Sequence, residues 1–295
     1  MIGRIRTDDV FHDSSFPLAC CRINAHADCD LHRHDFHEIV IILAGRGRHV
    51  TDTEEYALQA GDAFMVRGEM AHGYTDTRDL VLVNILFDPH RLRLPLSDLH
   101  DLPGYHVLFR VEPHMRNRER FRGRLRLAPP DLAETAAVIA LLQDELEKKP
   151  PGYRFIACAL LMRLIGFLSR CYSQAGHPEV RNLMRFGEVL SYVEGHFGER
   201  ITVGQLARKA GMSESSLIRV FRRVTGWSPM NHVIRIRIWH AQELLARSDM
   251  RVTEIAYRCG FNDSNYFSRQ FRKVAGVTPK AYRARTMESL QRPRS

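Results

Sequence analysis

The chain repeats itself near its C-terminus. Residues 203–229 read VGQLARKAGMSESSLIRVFRRVTGWSP, and residues 252–279 read VTEIAYRCGFNDSNYFSRQFRKVAGVTP. Leu206 corresponds to Ile255, Ala207 to Ala256 and Gly211 to Gly260. After one inserted residue, Leu217, Arg219, Phe221, Arg222, Val224, Gly226 and Pro229 correspond to Phe267, Arg269, Phe271, Arg272, Val274, Gly276 and Pro279. A duplicated unit must be one supersecondary element that folds the same way twice. Here the element is a short helix, a glycine turn and a second helix. Leu206 and Ile255 anchor the first helix, and the small Ala207 and Ala256 let the second cross closely. Gly211 and Gly260 occupy the place where positive φ is cheap. Ser213 and Asn262 are the expected N-caps of the second helix. That pattern is a helix-turn-helix.

The second helix of each unit has an outward polar stripe. It consists of Ser215, Ile218, Arg219 and Arg222 in one copy and Asn265, Ser268, Arg269 and Arg272 in the other. Ser216 and Ser264 lie beside these stripes at the helix starts. Arginine bonds guanine bidentately, asparagine bonds adenine, and an aliphatic side chain touches the thymine methyl. One basic helix face is ordinarily only solvated; two matched copies argue for double-stranded DNA as the partner. Between the units, residues 230–248 predict a helix of roughly 28 Å, close to the ~34 Å between successive major-groove segments on one face of B-DNA. Arg235 and Arg237 on it suit either phosphates or internal ion pairs.

Charge supports the assignment. Residues 181–295 hold 21 Lys+Arg against 9 Asp+Glu, whereas the rest of the chain holds 22 against 25. The excess positive charge therefore belongs to the C-terminal part, as expected for a polyanion partner.

The N-terminal part has a different period. Short apolar runs at 39–43, 48–51, 56–58, 63–67 and 80–87 are broken by 45–47, 61–62 and Asp88-Pro89. They predict a small antiparallel barrel or sandwich with a turn at Gly45-Arg-Gly47. From Pro129 the period becomes helical. Leu132, Val138, Leu141, Leu142 and Leu146 mark one stripe; Phe155, Ile156, Ala159, Leu160, Leu164, Phe167, Leu168 and Cys171 mark another. Two such helices joined by a short loop predict an antiparallel pair. The expected organisation is α+β: a β-barrel domain at 1–128, the helical pair at 129–175, a linker at 176–184 and a DNA-binding domain at 185–286. No apolar run of the bilayer-spanning length of ~18–20 residues and no signal-like start is read, so the expected location is the cytoplasm, away from membranes. The six cysteines form no framework and are expected to be reduced there.

The C-terminal hundred residues resemble the AraC family of bacterial transcription regulators. The likeness is carried by Ala207, Gly211-Met-Ser213, Leu217, Arg219, Phe221, Gly226, Pro229, Ile255-Ala256, Gly260-Phe261, Tyr266-Phe267-Ser-Arg269, Phe271, Gly276-Val-Thr-Pro279 and Tyr282-Arg283. The resemblance implies two helix-turn-helix units on a long helix, with the two stripes above facing DNA. It also implies RNA polymerase as a partner and a homodimer formed through the helical pair. Serine at 215, where many relatives carry a large side chain, leaves the first unit less to read bases with.

The segment His32-Arg-His34-Asp-Phe-His-Glu38, followed by Gly45, resembles the first cupin motif, and Gly61 and His72 fit the spacing of the second. Arg67 and Asp76 stand where that motif has Pro and Asn, and His26 stands where the first has its opening Gly. The run from His32 to Val50 is similar to activators of rhamnose operons within the same family, which implies a sugar-sensing domain and an activator. His32 and His34 alternate along a strand and share a face. Glu38 and His72 complete a set that suits Zn, Fe, Ni or Mn. The same four positions, without a metal or other cofactor, suit an effector pocket whose polar groups bond sugar hydroxyls. The expectation is that pocket and no catalytic residues, with a metal-dependent cupin enzyme as the alternative. The isolated His12, His90, His100 and His114 read as surface residues.

Overall fold

The structure is a computed structural model and describes residues 3–291 except 12, 14, 53, 93, 116–124 and 175–177. It is of the mixed α+β class, divided into two compact units at 1–187 and 188–295.

Unit 1 is built on β1 (Gly3–Ile5), β2 (Leu18–Ile23), β3 (Cys29–His34), β4 (His37–Thr51), β5 (Glu55–Gln59), β6 (Asp62–Val66), β7 (His72–Phe87) and β8 (Leu125–Arg126). They form one sheet in the order β1-β3-β7-β4-β6-β8, with β2 added to β7 and β5 to β4. The pairings are antiparallel except for β1 with β3. The expected barrel is corrected on one point: among the described residues the ends of this sheet are not paired, so it is a bent, open sheet.

The spine is the β4–β7 ribbon, which runs from His37↔Phe87 to Thr51↔His72. Gly45-Arg-Gly47 makes no turn, because the residues on both sides belong to one 15-residue strand. The register instead shifts three times between Ile42 and Arg48. Gly45 sits at φ 74, and a Cβ there would lie 2.0 Å from the Asp79 carbonyl oxygen. The glycine thus makes a bulge, which bends and twists the strand without ending it. Along the inner face, Val40, Ile42, Leu58, Phe64, Val66, Tyr74, Leu80 and Leu82 form the core.

Short helices α1 (Thr7–Val10), α2 (Pro89–Leu92), α3 (Pro103–His106) and α4 (Glu112–Met115) decorate the sheet; a π-helical turn joins the last two. The pair α5 (Pro129–Lys148) and α6 (Tyr153–Gln174) packs together, with Lys149 in the left-handed conformation closing α5. The predicted stripes are partly corrected. α5 buries Thr135, Val138, Ile139 and Leu142, while Leu141 is 55% exposed. α6 buries Leu161, Leu164, Ile165, Leu168 and Tyr172, while Phe155 is 77% exposed. Apart from Arg154, the first turns of α6 carry apolar residues on several faces, so periodicity alone does not say which side turns inward. α6 is also long and apolar enough, by length and composition, to cross a membrane.

The linker reading of 176–184 is corrected too. Helix α7 (Pro178–Gly195) begins at Pro178, and the boundary between units falls inside it. Proline at a first helical position is favourable because its missing N–H has no partner there in any case. Residues 176 and 177 lie outside the described residues.

Unit 2 contains α8 (Val203–Ala210), α9 (Glu214–Thr225), α10 (Pro229–Arg247), α11 (Val252–Arg258), α12 (Ser264–Ala275) and α13 (Pro279–Gln291). Leu217 and Phe221 in the first unit and Ile255, Phe267 and Phe271 in the second are fully buried. Replacing Gly45 by alanine is expected to lower stability by at least ~1–3 kcal/mol, the ordinary cost of a non-glycine residue held in the left-handed region. The carbonyl of Asp79 adds a clash. Urea unfolding checks this; an unchanged midpoint would show that the bulge does not govern the sheet.

Candidate nucleic-acid interface and effector cavity

Local sequence builds both helix-turn-helix units as the repeat predicts. Thr202 and Gln205 form a reciprocal capping box at α8, and Gly211 ends that helix at φ 64. Ser213 caps α9, accepting from the Ser216 backbone N–H. Gly226 and Gly276 end α9 and α12 with positive φ. One cap is corrected. Asp263, and not Asn262, caps α12, its Oδ1 accepting from the backbone N–H groups of Asn265 at 2.6 Å and Tyr266 at 2.8 Å. The inserted residue shifts the cap by one place. Those two hydrogen bonds hold the Asp263 carboxyl below its usual range, with a smaller contribution from Arg269.

The predicted stripes face outward. Ser215, Arg219 and Arg222 on α9 and Asn265, Arg269 and Arg272 on α12 are exposed, while Ser216, Ile218, Ser264 and Ser268 are half-buried. Some hydroxyls have local partners: Ser213 donates to Ser216 Oγ at 2.9 Å, and Ser268 donates to the Ser264 carbonyl at 2.9 Å. The Arg269 guanidinium lies 6.0 Å from the ring centroid of Tyr266, which is itself 39% exposed. Helix α10 has 19 residues, so it extends roughly 28 Å.

Arg235 and Arg237 take roles that neither sequence alternative named. The Arg235 guanidinium stacks 3.6 Å from the ring centroid of Trp227. Arg237 donates to three backbone carbonyls, those of Phe197 at 2.7 Å, Glu199 at 2.7 Å and Gly260 at 2.6 Å. It thereby joins the segment after α7 to the turn of the second unit. Gly260 is needed there, since a Cβ would lie 2.8 Å from the Gly198 carbonyl oxygen.

In unit 1, His34 closes β3, Glu38 lies at the start of β4 and His72 starts β7; all three are buried. Their ligand atoms lie within 4.8 Å of one another. Glu38 Oε2 is 3.1 Å from His34 Nε2 and 3.3 Å from His72 Nε2. Burial alone raises the Glu38 pKa, but the contacts with both imidazoles outweigh it and hold the carboxyl well below the usual range. His32 is corrected. It does not join this trio; its ring packs 4.3 Å from that of His72, and its Nδ1 lies 3.1 Å from the Asp30 carbonyl. Burial and the neighbouring His72 hold its pKa below the ordinary value.

A cavity of about 530 Å³ is lined by His32, Glu38 and His72 but not by His34, which touches Glu38. It is also lined by His26, Cys29, Asp30, Tyr74 and Asn84, none of which sequence reasoning assigned to a pocket. Asn84 had a signal, being the one polar residue in the apolar run 80–87. Of the remaining histidines, His12 and the side chains of His90 and His114 lie outside the described residues. His100 is half-buried, its carbonyl 2.7 Å from His106 Nε2. The cysteines are free, and burial pushes Cys20 up to about 12 and Cys259 up to about 11.

Two duplicated helix-turn-helix units and a sheet-built cavity define a DNA-binding transcription regulator with a ligand-binding domain. The chain matches the model of the AraC-like ligand binding domain over residues 17–165 and that of a helix-turn-helix domain over residues 206–285. It belongs to the AraC family. Curated relatives include the HTH-type transcriptional activator RhaR of Yersinia pseudotuberculosis, 34% identical over 262 residues, covering 88% of this chain and 86% of the relative. The RhaR activator of Enterobacter sp. (strain 638) is 30% identical over 259 residues, covering 88% of each chain. Among solved structures, the DNA-binding domain of AdpA in complex with a target DNA is 37% identical, covering 38% of this chain and 98% of that one at a TM-score of 0.35. An AraC-type regulator from Chromobacterium violaceum is 26% identical, covering 35% and 91% at a TM-score of 0.33.

Asp263→Ala is expected to destabilise the second unit at neutral pH. A carboxyl whose folded pKa is depressed contributes above its unfolded value and loses that contribution as pH falls through the folded one. The gap between wild type and variant is therefore complete above pH 3.8 and narrows below it. Thermal unfolding across that range checks the sign; a gap independent of pH would show that the carboxylate is not the cap.

Proposed function

We propose that this protein is an effector-responsive transcription activator of carbohydrate-utilisation genes. It reads double-stranded DNA with α9 and α12 and binds a small sugar in the cavity of unit 1. The observation that carries the reading is the pair of matched, exposed stripes centred on Arg219 and Arg269. The 19-residue helix between the units fits a spacing of one DNA turn. The relatives' names as transcriptional activators support activation, and the resemblance of the run from His32 to Val50 to activators of rhamnose operons supports a sugar effector. A cavity with carboxylate, imidazole and amide groups beside aromatic rings suits a polyhydroxylated ligand, which needs both hydrogen-bond partners and apolar faces.

Under this proposal residues 1–128 sense the effector, 129–175 pair two copies, and 185–286 bind DNA and engage RNA polymerase. Leu141, Phe155 and Ile156, which stand exposed on α5 and α6, supply the apolar face for a homodimer. The protein works in the cytoplasm and does no catalysis. The effector acts only through its different affinities for the two states of the regulator.

Arg269→Ala is expected to weaken operator binding by ~1–3 kcal/mol and to relax preference at one base pair. Fluorescence anisotropy with an operator and its single-base variants measures both. Unchanged affinity would remove α12 from the groove. A panel of sugars in a thermal-shift assay is expected to find one that raises the melting temperature of wild type and not of Asn84→Leu. If no sugar stabilises the wild type, the sugar reading fails.

A further inference from the structure

The geometry points to a divalent transition-metal site formed by His34, Glu38 and His72 at the floor of the cavity. His34 Nδ1 lies 2.7 Å from the Phe36 carbonyl oxygen, and His72 Nδ1 lies 3.3 Å from that of Met70. A carbonyl can only accept, so both Nδ1 atoms carry the proton. A neutral ring so fixed presents a lone pair at Nε2. Both Nε2 atoms nevertheless face the same Glu38 oxygen, at 3.1 and 3.3 Å. Two neutral rings would turn lone pairs onto a carboxylate. Protonating both rings at Nε2 as well would give the carboxylate two donors, but it would place two like charges on rings whose centroids are 5.1 Å apart and which are each 1% exposed. One divalent cation among the three atoms satisfies every lone pair.

The distances fit. Ligand atoms held about 2.0–2.2 Å from an ion lie roughly 3–3.5 Å apart in tetrahedral or octahedral coordination. The outer contacts fit too, because metal-ligating imidazoles commonly donate their other N–H to a carbonyl, which fixes ring and tautomer. His34 is further held by stacking on Phe36, with centroids 4.3 Å apart and planes 5° apart. Two imidazoles and one carboxylate select Zn, Ni, Co, Fe or Mn over Mg or Ca.

Three protein ligands leave coordination positions open, and Glu38 and His72 line the cavity. Asn84 lines it as well, and its buried Oδ1 has no hydrogen-bond partner among the described residues. An orphan acceptor beside an open metal position matches a metal-bound water or ligand hydroxyl, which is a strong donor. His32 stays outside the ligand set and borders the cavity. The site binds its metal whether or not a sugar is the effector.

The test uses the full chain, stripped with a chelator and then titrated with Zn²⁺, Ni²⁺ or Co²⁺ by calorimetry, with Co²⁺ also followed by its visible absorption. One equivalent is expected to bind. Glu38→Gln, which keeps the shape of the side chain, should weaken binding by more than roughly 10–100-fold, the range already reached by losing an outer-sphere contact. His34→Ala should abolish the Co²⁺ spectrum. His32→Ala should retain one equivalent. Circular dichroism of each variant verifies folding, and Glu38→Gln carries the test if His34→Ala does not fold. No binding at one equivalent, or binding unaffected by Glu38→Gln, overturns the site. Equal loss in His32→Ala and His34→Ala overturns the three-residue ligand set.

Discussion

The bend in the β4–β7 ribbon is the constraint on which the ligand-binding unit depends. Strand β7 has 16 residues and would reach roughly 50 Å if it were straight. Glu38 pairs beside Leu86 at one end of the ribbon, and His72 lies opposite Thr51 at the other. Yet Glu38 Oε2 and His72 Nε2 are 3.3 Å apart. The ribbon must therefore fold back over its own face, and the irregular register from Ile42 to Arg48 is where it does so. Gly45 permits the close approach to Asp79 that this requires. Without the bend, a carboxylate and an imidazole would sit at opposite edges of a flat sheet, and there would be no cavity between them.

The second unit rests on a different device. Each helix-turn-helix stands on a small apolar core: Leu217, Phe221 and Val224 in one, Phe267 and Phe271 in the other. Glycine turns and oxygen caps set where each helix starts and stops, so the polar stripes face out as a consequence of which residues are buried. Arg237 adds a constraint that patterning does not supply. Its guanidinium binds three backbone carbonyls that end other segments. A planar fork of donors suits such carbonyls better than a flexible ammonium would. This couples the long helix α10 to the geometry of the second turn, and it spends on internal structure a charge that phosphates could otherwise have used.

Some features were legible because they are local. The cap at Ser213, the glycine ends of α9 and α12, and the burial of Phe221 and Phe271 all follow from residues within a few positions of each other. Other features misled for equally local reasons. Gly45-Arg-Gly47 has turn chemistry, yet the hydrogen-bonded partner strand carries it through as a bulge. Pro178 has breaker chemistry, yet it opens a helix. Phe155 and Ile156 fit a helical period, yet the face opposite them is the one that packs inward.

By itself the sequence determined that there are two helix-turn-helix units, which faces of α9 and α12 are polar, and where the positive charge is concentrated. These depend on periods of 3.6 and on end residues, which act over one or two turns. It also supplied the donors His34, Glu38 and His72. Only the tertiary structure decided that these three meet at one oxygen while His32 stands aside, and that Asn84, Asp30 and Cys29 share their cavity. The physical reason is that side-chain alternation tells which face of a strand a residue occupies. Which residues of distant strands meet depends on where the sheet bends, and that is set by register and bulges between strands far apart in the chain.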